Sequence, residues 1–173
     1  MSSWTGYFER LYQADPPAVK LDVRGVTITV ADPPINRGPP SLVETQAAVN
    51  RLKLGKAPGI CGIHAELLKA GGNAALVSLF AVLCSAWNKG IIPTYWRRGL
   101  VVPLWKGKGD GQDCNSCCGV RLLSVPGKVF ARIILDRVRH HLLEHQRREQ
   151  SGFTPKRSTI DRILALRVLT ERR

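Results

Sequence analysis

Two apolar runs, Leu100–Leu104 and Val120–Leu123, flank a polar middle that carries Lys106, Gly107, Lys108, Gly109 and Gly111. Short apolar runs bounded by turn residues read as strands. The stretch 99–124 therefore predicts a β-hairpin, and the rest of the chain has to be arranged around it. A glycine-rich loop bearing amines between two strands can drape over a phosphate. It can equally be an ordinary solvated connection, and the flanking segments decide between the two.

Upstream, residues 1–13 predict a short amphipathic helix with Trp4, Phe8 and Leu11 on one face. Residues 14–40 contain Pro16, Pro17, Pro33, Pro34, Pro39 and Pro40. Their fixed φ and missing donors exclude long helices and central strands, so this is a linker or an arm, with a brief strand at Val26–Val30. Ser41 and Glu44 make a capping box. The helix behind it has Val43, Ala47, Asn50, Leu52 and Leu54 as a partial face and stops near Leu54, before Gly55 and Pro58. A short helix follows over Ile63–Ala70, ended by Gly71 and Gly72. A more apolar one spans Ala74–Lys89, with Leu76, Leu79, Phe80, Leu83 and Trp87 on one side and Gly90 as its stop.

Beyond the hairpin, Ser124 is the expected cap of the strongest helix, and Pro126 is tolerated in its first turn. Its stripe is Val129, Phe130, Ile133, Ile134 and Val138, and it fades near His145. Ser158 and Asp161 make a second capping box, opening a last helix with Ile160, Ile163, Leu164 and Val168. Helices, hairpin, helices is an α+β order. The irregular start and a last helix without a stop signal read as a segment of a longer protein.

At 173 residues, 44 % of them hydrophobic, this is one domain or part of one, able to bury a core. The formal net charge of +13 makes a polyanion, nucleic acid above all, the leading class of partner. Residues 121–173 hold 13 basic against 5 acidic side chains, and residues 1–120 hold 13 against 8. A backbone-binding face thus draws heavily on the last third. No membrane is expected. An anionic surface would ask for a basic amphipathic helix, and the longest apolar run, Ala74–Cys84, is broken by Ser78 and too short to span a bilayer. Five cysteines, two of them adjacent, make a poor disulfide framework and point to a reducing compartment. With no signal peptide in view, the expected setting is intracellular, nucleus or cytoplasm.

Most catalytic chemistries find no constellation here. Two-metal phosphoryl transfer needs clustered carboxylates, whereas the acids are scattered; Asp110 and Asp113, the nearest pair in the hairpin loop, can simply offset Lys106 and Lys108. Cys114, Cys117 and Cys118 form half a zinc knuckle, whose fourth ligand would be His140, His141 or His145, but there is no second CxxC. Cys61 and His64 lack an identifiable orienting group for a nucleophile pair. Neither GxxxxGK[ST] nor HExxH occurs. What remains is phosphate recognition: Lys56, Lys106, Lys108, Lys156 and Arg157 all lie in turns bearing glycine or proline.

Four ordered stretches carry a resemblance: KLGKAPGICGIHAELLKAGG at 53–72, IPTYWRRGLVVPLWKGKGD at 92–110, GVRLLSVPGKVFARIILDRV at 119–138 and QSGFTPKRSTIDRILALR at 150–167. Together they resemble the N-terminal part of the reverse-transcriptase domain of non-long-terminal-repeat (LINE-type) retrotransposons. The resemblance implies a partial right-hand polymerase fold over residues 42–173, mainly helical fingers with a β-hairpin and the start of the palm. Residues 1–41 would be a variable linker with a short helix. It also implies an RNA template or RNA/DNA hybrid as partner, and a triphosphate contact at Lys106 or Lys108. Cys118 stands at the family's hairpin arginine, which removes a charge and a fork of donors. Cys61 stands at its turn aspartate, and Arg121 at its serine before the double leucine. The family's catalytic carboxylates, which hold Mg2+ in the complete enzyme, match no position here. The implied chain binds template backbone without polymerising by itself and binds no cofactor. The alternative is a small domesticated nucleic-acid- or protein-binding protein, with a protein partner over its exposed apolar helix faces.

Overall fold

The computed structural model describes residues 2–13, 34–146, 150, 152, 154, 155 and 157–171. The strand expected at Val26–Val30 and the candidate Lys156 lie outside the described residues. The fold is α+β. In chain order come α1 (Ser2–Tyr12), α2 (Leu42–Asn50), α3 (Ala65–Ala70), α4 (Gly72–Lys89), α5 (Thr94–Arg97), β1 (Gly99–Trp105), β2 (Cys117–Leu123), α6 (Val125–Glu144) and α7 (Thr159–Glu171). They divide into two compact units, residues 1–29 with 37–133, and residues 30–36 with 134–173.

In the first unit, α2 starts at the expected capping box: the Glu44 amide donates to Ser41 Oγ at 3.2 Å, and the Ser41 amide to a Glu44 carboxylate oxygen at 2.7 Å. The helix ends at Asn50, a turn earlier than Leu54. Its buried face is Thr45, Ala48 and Val49, not Val43, which is exposed. Apolar spacing alone misassigns this face because a polar residue, Thr45, stands on it. Thr45 can be buried because its hydroxyl donates to the Ser41 carbonyl at 2.9 Å. Helix α3 begins at Ala65 and α4 already at Gly72. Gly71 ends the first and starts the second, and Gly72, at φ +58°, makes the turn. Gly90 ends α4 in the left-handed conformation, φ +63°, which costs glycine nothing.

The core of this unit packs Ala48 and Val49 of α2 against Leu76, Leu79 and Leu83 of α4 and Val129, Phe130 and Ile133 of α6. Each fully buried leucine or valine of this kind contributes about 1.5–3 kcal/mol. Trp87 and Trp96 close the cluster around Phe130, with ring centroids 6.0 and 5.7 Å away. Gly127 makes room for Trp96: a Cβ there would lie 3.0 Å from the Trp96 Cβ.

The hairpin is longer than its apolar runs, with Gly99 opposite Leu123 and Trp105 opposite Cys117. Among the described residues the sheet has two strands, both of them edges, and an edge tolerates Pro103. Cross-strand partners share a face, so Val101, Pro103, Gly119 and Arg121 lie on one side and Leu100, Val102, Leu104, Val120 and Leu122 on the other. Helix α1 covers the first side. Phe8 is buried and stacks between Trp4 and Tyr12, with centroids 6.2 and 6.1 Å away. The Tyr12 hydroxyl donates to the Gly119 carbonyl at 3.1 Å. The face toward the hairpin is thus Trp4, Phe8 and Tyr12, with Phe8 its buried residue and Tyr12 45% exposed, and Leu11 is 57% exposed.

In the second unit, the Arg137 guanidinium donates to the Asn36 carbonyl at 3.3 Å, and the His141 and His145 rings lie 4.1 Å apart. Gln146 donates to the Thr154 hydroxyl at 2.7 Å. Helix α7 opens on the expected capping box, the Ser158 amide donating to Asp161 at 2.8 Å. Its apolar residues stay exposed: Ile160, Ile163, Leu164, Leu166 and Leu169 form no buried stripe among the described residues.

Candidate nucleic-acid interface

The hairpin tip is an ordered loop. The Lys106 amide donates to the Ser116 carbonyl at 2.9 Å, continuing the ladder one step past β1. Gly107 and Gly109 are left-handed, φ +78° and +72°, a conformation that opposes other side chains. The Trp105 indole donates to the Gly109 carbonyl at 3.2 Å and ties the turn to the strand. Lys108 stands between the two glycines, exposed, with no hydrogen bond or ion pair among the described residues. Lys106 differs: its ammonium donates to the Asn115 carbonyl at 2.9 Å and latches the far side of the loop. An ammonium has three donors, so this latch leaves two for an external anion.

The loop carboxylates serve the backbone. Asp110 accepts from the Gln112 amide at 2.9 Å, and Asp113 from the Asn115 amide at 3.0 Å and its side-chain amide at 3.1 Å. Among the described residues no three His, Cys, Asp or Glu side chains converge on a metal-sized site. Cys117 is buried and donates to the Gly111 carbonyl at 3.6 Å, while Cys118 is exposed. All five cysteines are free thiols.

Lys56 is exposed in the loop between α2 and α3, which is shaped by Gly55 and Gly62 at φ +67° each and by the Gly55 amide donating to Glu66. That hydrogen bond holds the Glu66 carboxyl below the usual carboxylate range. Three residues on, Gly59 lies against the backbone of Leu123 and Ser124. Lys56 therefore belongs to the base of the hairpin, about 20 Å from the tip by the length of a seven-residue strand. Arg157 is exposed in the second unit.

Cys61 occupies a distinct setting. Ser124 is fully buried, and its hydroxyl, expected to cap α6, donates instead to Cys61 Sγ at 3.1 Å. Burial on its own raises the Cys61 pKa. The Ser124 hydroxyl and the backbone amides of Ile63 and Val125 outweigh it and hold the thiol below its ordinary value. His64 lies 4.0 Å from Glu66, so the Cys61–His64 pair is not assembled.

Sequence reasoning missed the part played by α1 and Arg121. The Arg121 guanidinium lies over the Tyr12 ring, 5.1 Å from its centroid, and its side chain lies against Gly99. The available signal was the i, i+4, i+8 aromatic series Trp4, Phe8, Tyr12, set against a glycine on a strand.

A 115 kDa protein in the type-1 retrotransposable element R1DM of Drosophila melanogaster is 36% identical over 127 residues, 71% of this chain and 12% of that protein. The 149 kDa protein of transposon TX1 of Xenopus laevis is 30% identical over 131 residues, 76% of this chain and 10% of that protein. The chain is a distant homologue of retrotransposon-derived proteins. It spans about a tenth of the length of these relatives. No family model matches it. The α+β order of the chain, with helices on either side of a small hairpin, is consistent with part of a polymerase-like fold.

Proposed function

We propose that this retrotransposon-derived chain is the fingers segment, with the start of the palm, of a right-hand reverse transcriptase of the LINE type. Residues 42–173 would be that segment and residues 1–41 the variable stretch ahead of it. In this reading it grips the phosphate backbone of an RNA template or RNA/DNA hybrid and does not polymerise by itself. The observation that carries the reading is the hairpin tip: Lys106 and Lys108 are held on a tied turn with two left-handed glycines, in a chain of net charge +13. Lys56 at the hairpin base extends the cationic track, and Lys156 and Arg157 are the further phosphate-binding residues of this reading. The match to transposable-element proteins supports the polymerase parentage, and five free thiols support an intracellular setting, nucleus or cytoplasm. The exposed apolar residues of α7 support a further contact with a protein surface.

The test is a titration with single-stranded RNA at low and at physiological salt. Each phosphate contact on a single strand adds about 0.7 to the slope of log affinity against log salt. Lys106→Ala with Lys108→Ala should lower that slope by about 1.4 and weaken binding at low salt. Absence of binding at low salt would refute the proposal. Primer extension with template, primer and Mg2+ should remain at background.

A further inference from the structure

One cavity of the first unit takes no part in the hairpin tip. It is an open groove of about 660 Å³ between α1 and the hairpin, within the size range of small-molecule and cofactor sites. Trp4 and Tyr12 line its helix side, and Val101, Pro103 and Arg121 its sheet side. The Arg121 guanidinium lies over the Tyr12 ring. A planar guanidinium on an aromatic face keeps its N–H edge available for an anion, and among the described residues Arg121 makes no hydrogen bond or ion pair. Glu9 also lines the groove. Its carboxylate repels a phosphate and accepts from an amino group, so a neutral base edge suits the interior and a phosphate suits the Arg121 side.

We propose that this groove receives an unpaired base of a single-stranded nucleic acid, stacked on the aromatic rings of α1, with its flanking phosphate on Arg121. The inference rests on the nucleic-acid reading above and adds a base contact to a backbone contact. Aromatic platforms combined with cations are a general means of holding single strands without sequence preference. Charge complementarity selects this occupant: the chain carries +13, and an apolar peptide would leave both Arg121 and Glu9 without partners. The tip lies a short way along the strand from the groove. Lys106 lies three residues along β1 from Pro103, about 10 Å by strand rise. A strand with a base in the groove reaches the tip amines within a few phosphates.

The experiment compares a short oligouridylate with an abasic oligomer of equal length and charge, titrated against the full chain at low and at physiological salt. The oligouridylate should bind about five- to a hundredfold more tightly, the ratio that one stacked base produces. Trp4→Leu should abolish that difference, with the abasic affinity and the salt slope unchanged, and Trp4→Phe should retain most of it. Lys106→Ala with Lys108→Ala should weaken both oligomers alike. Equal binding of the two oligomers by the wild-type chain overturns the groove assignment and leaves the backbone reading standing. So does a Trp4→Leu chain that keeps the full preference. Failure of both oligomers to bind at low salt overturns both readings.

Discussion

Gly59→Ala tests how the α2–α3 loop, the end of the hairpin and the start of α6 are locked together. A Cβ at Gly59 would lie 2.5 Å from the Leu123 carbonyl carbon and 2.6 Å from the Ser124 nitrogen. Both are backbone atoms, so no rotamer change relieves the overlap. Gly59 is not among the left-handed glycines, and alanine meets no obstacle in its own φ; the cost is purely steric. Forcing one extra carbon into a packed site costs about 1–3 kcal/mol. If the loop lifts instead, the Ser124 hydroxyl, 0% exposed, loses the Cys61 sulfur that accepts from it at 3.1 Å. A buried hydroxyl without a partner costs about 1–3 kcal/mol. Either route removes a large part of the ~5–15 kcal/mol that holds a domain together. At about 2–4 °C per kcal/mol for a chain of this length, the melting temperature should fall by about 2–12 °C. Differential scanning calorimetry reads that shift, and the pH dependence of Cys61 alkylation reads the local one, which should move up as the hydrogen bonds to sulfur are lost. Gly6→Ala, which meets nothing within 4 Å and is not left-handed, is the control and should not lower the melting temperature. A Gly59→Ala chain that melts with the wild type and keeps its Cys61 profile would show that the loop does not press on the hairpin as described.

The Cys61 pKa is lower folded than unfolded, so its thiolate should stabilise the fold fully above the unfolded thiol value, and this gain should vanish as pH falls through the folded value. Urea unfolding of wild type and Cys61→Ala over a pH series reads the difference; Cys84, whose thiol is pushed up by burial, should alkylate only at higher pH than Cys61. Leu83→Ala removes a core side chain with 0% exposure and should cost about 2–5 kcal/mol in chemical denaturation, with a loss under about 1 kcal/mol arguing against the α2–α4–α6 core.

Much of the candidate interface was legible because its cause is local. Glycines on either side of Lys108 announce a turn, and the two lysines sit in it wherever the hairpin goes. The latch between Lys106 and Asn115 was not legible, because it depends on how the loop folds across itself. Nor was the separation of Lys56 from the tip, which follows from Gly59 meeting Leu123 at the other end of the strand. The aromatic groove was hidden for the same reason: only the packing of α1 on the hairpin places Tyr12 beneath Arg121.

The sequence by itself determined the features whose partners lie within a few residues. The capping boxes at Ser41–Glu44 and Ser158–Asp161, the left-handed stop at Gly90 and the pairing of two apolar runs are satisfied within the segment that encodes them. Tertiary structure decided what each element faces. It buried Thr45 and Ala48 in place of Val43, turned the Ser124 hydroxyl from a helix cap toward Cys61, and laid Phe8 and Tyr12 across Gly119. Hydrogen bonds that close within one helical turn form in almost any surroundings. The direction in which a helix is buried, and the acceptor a buried hydroxyl finds, depend on atoms brought close only by the packing of distant segments.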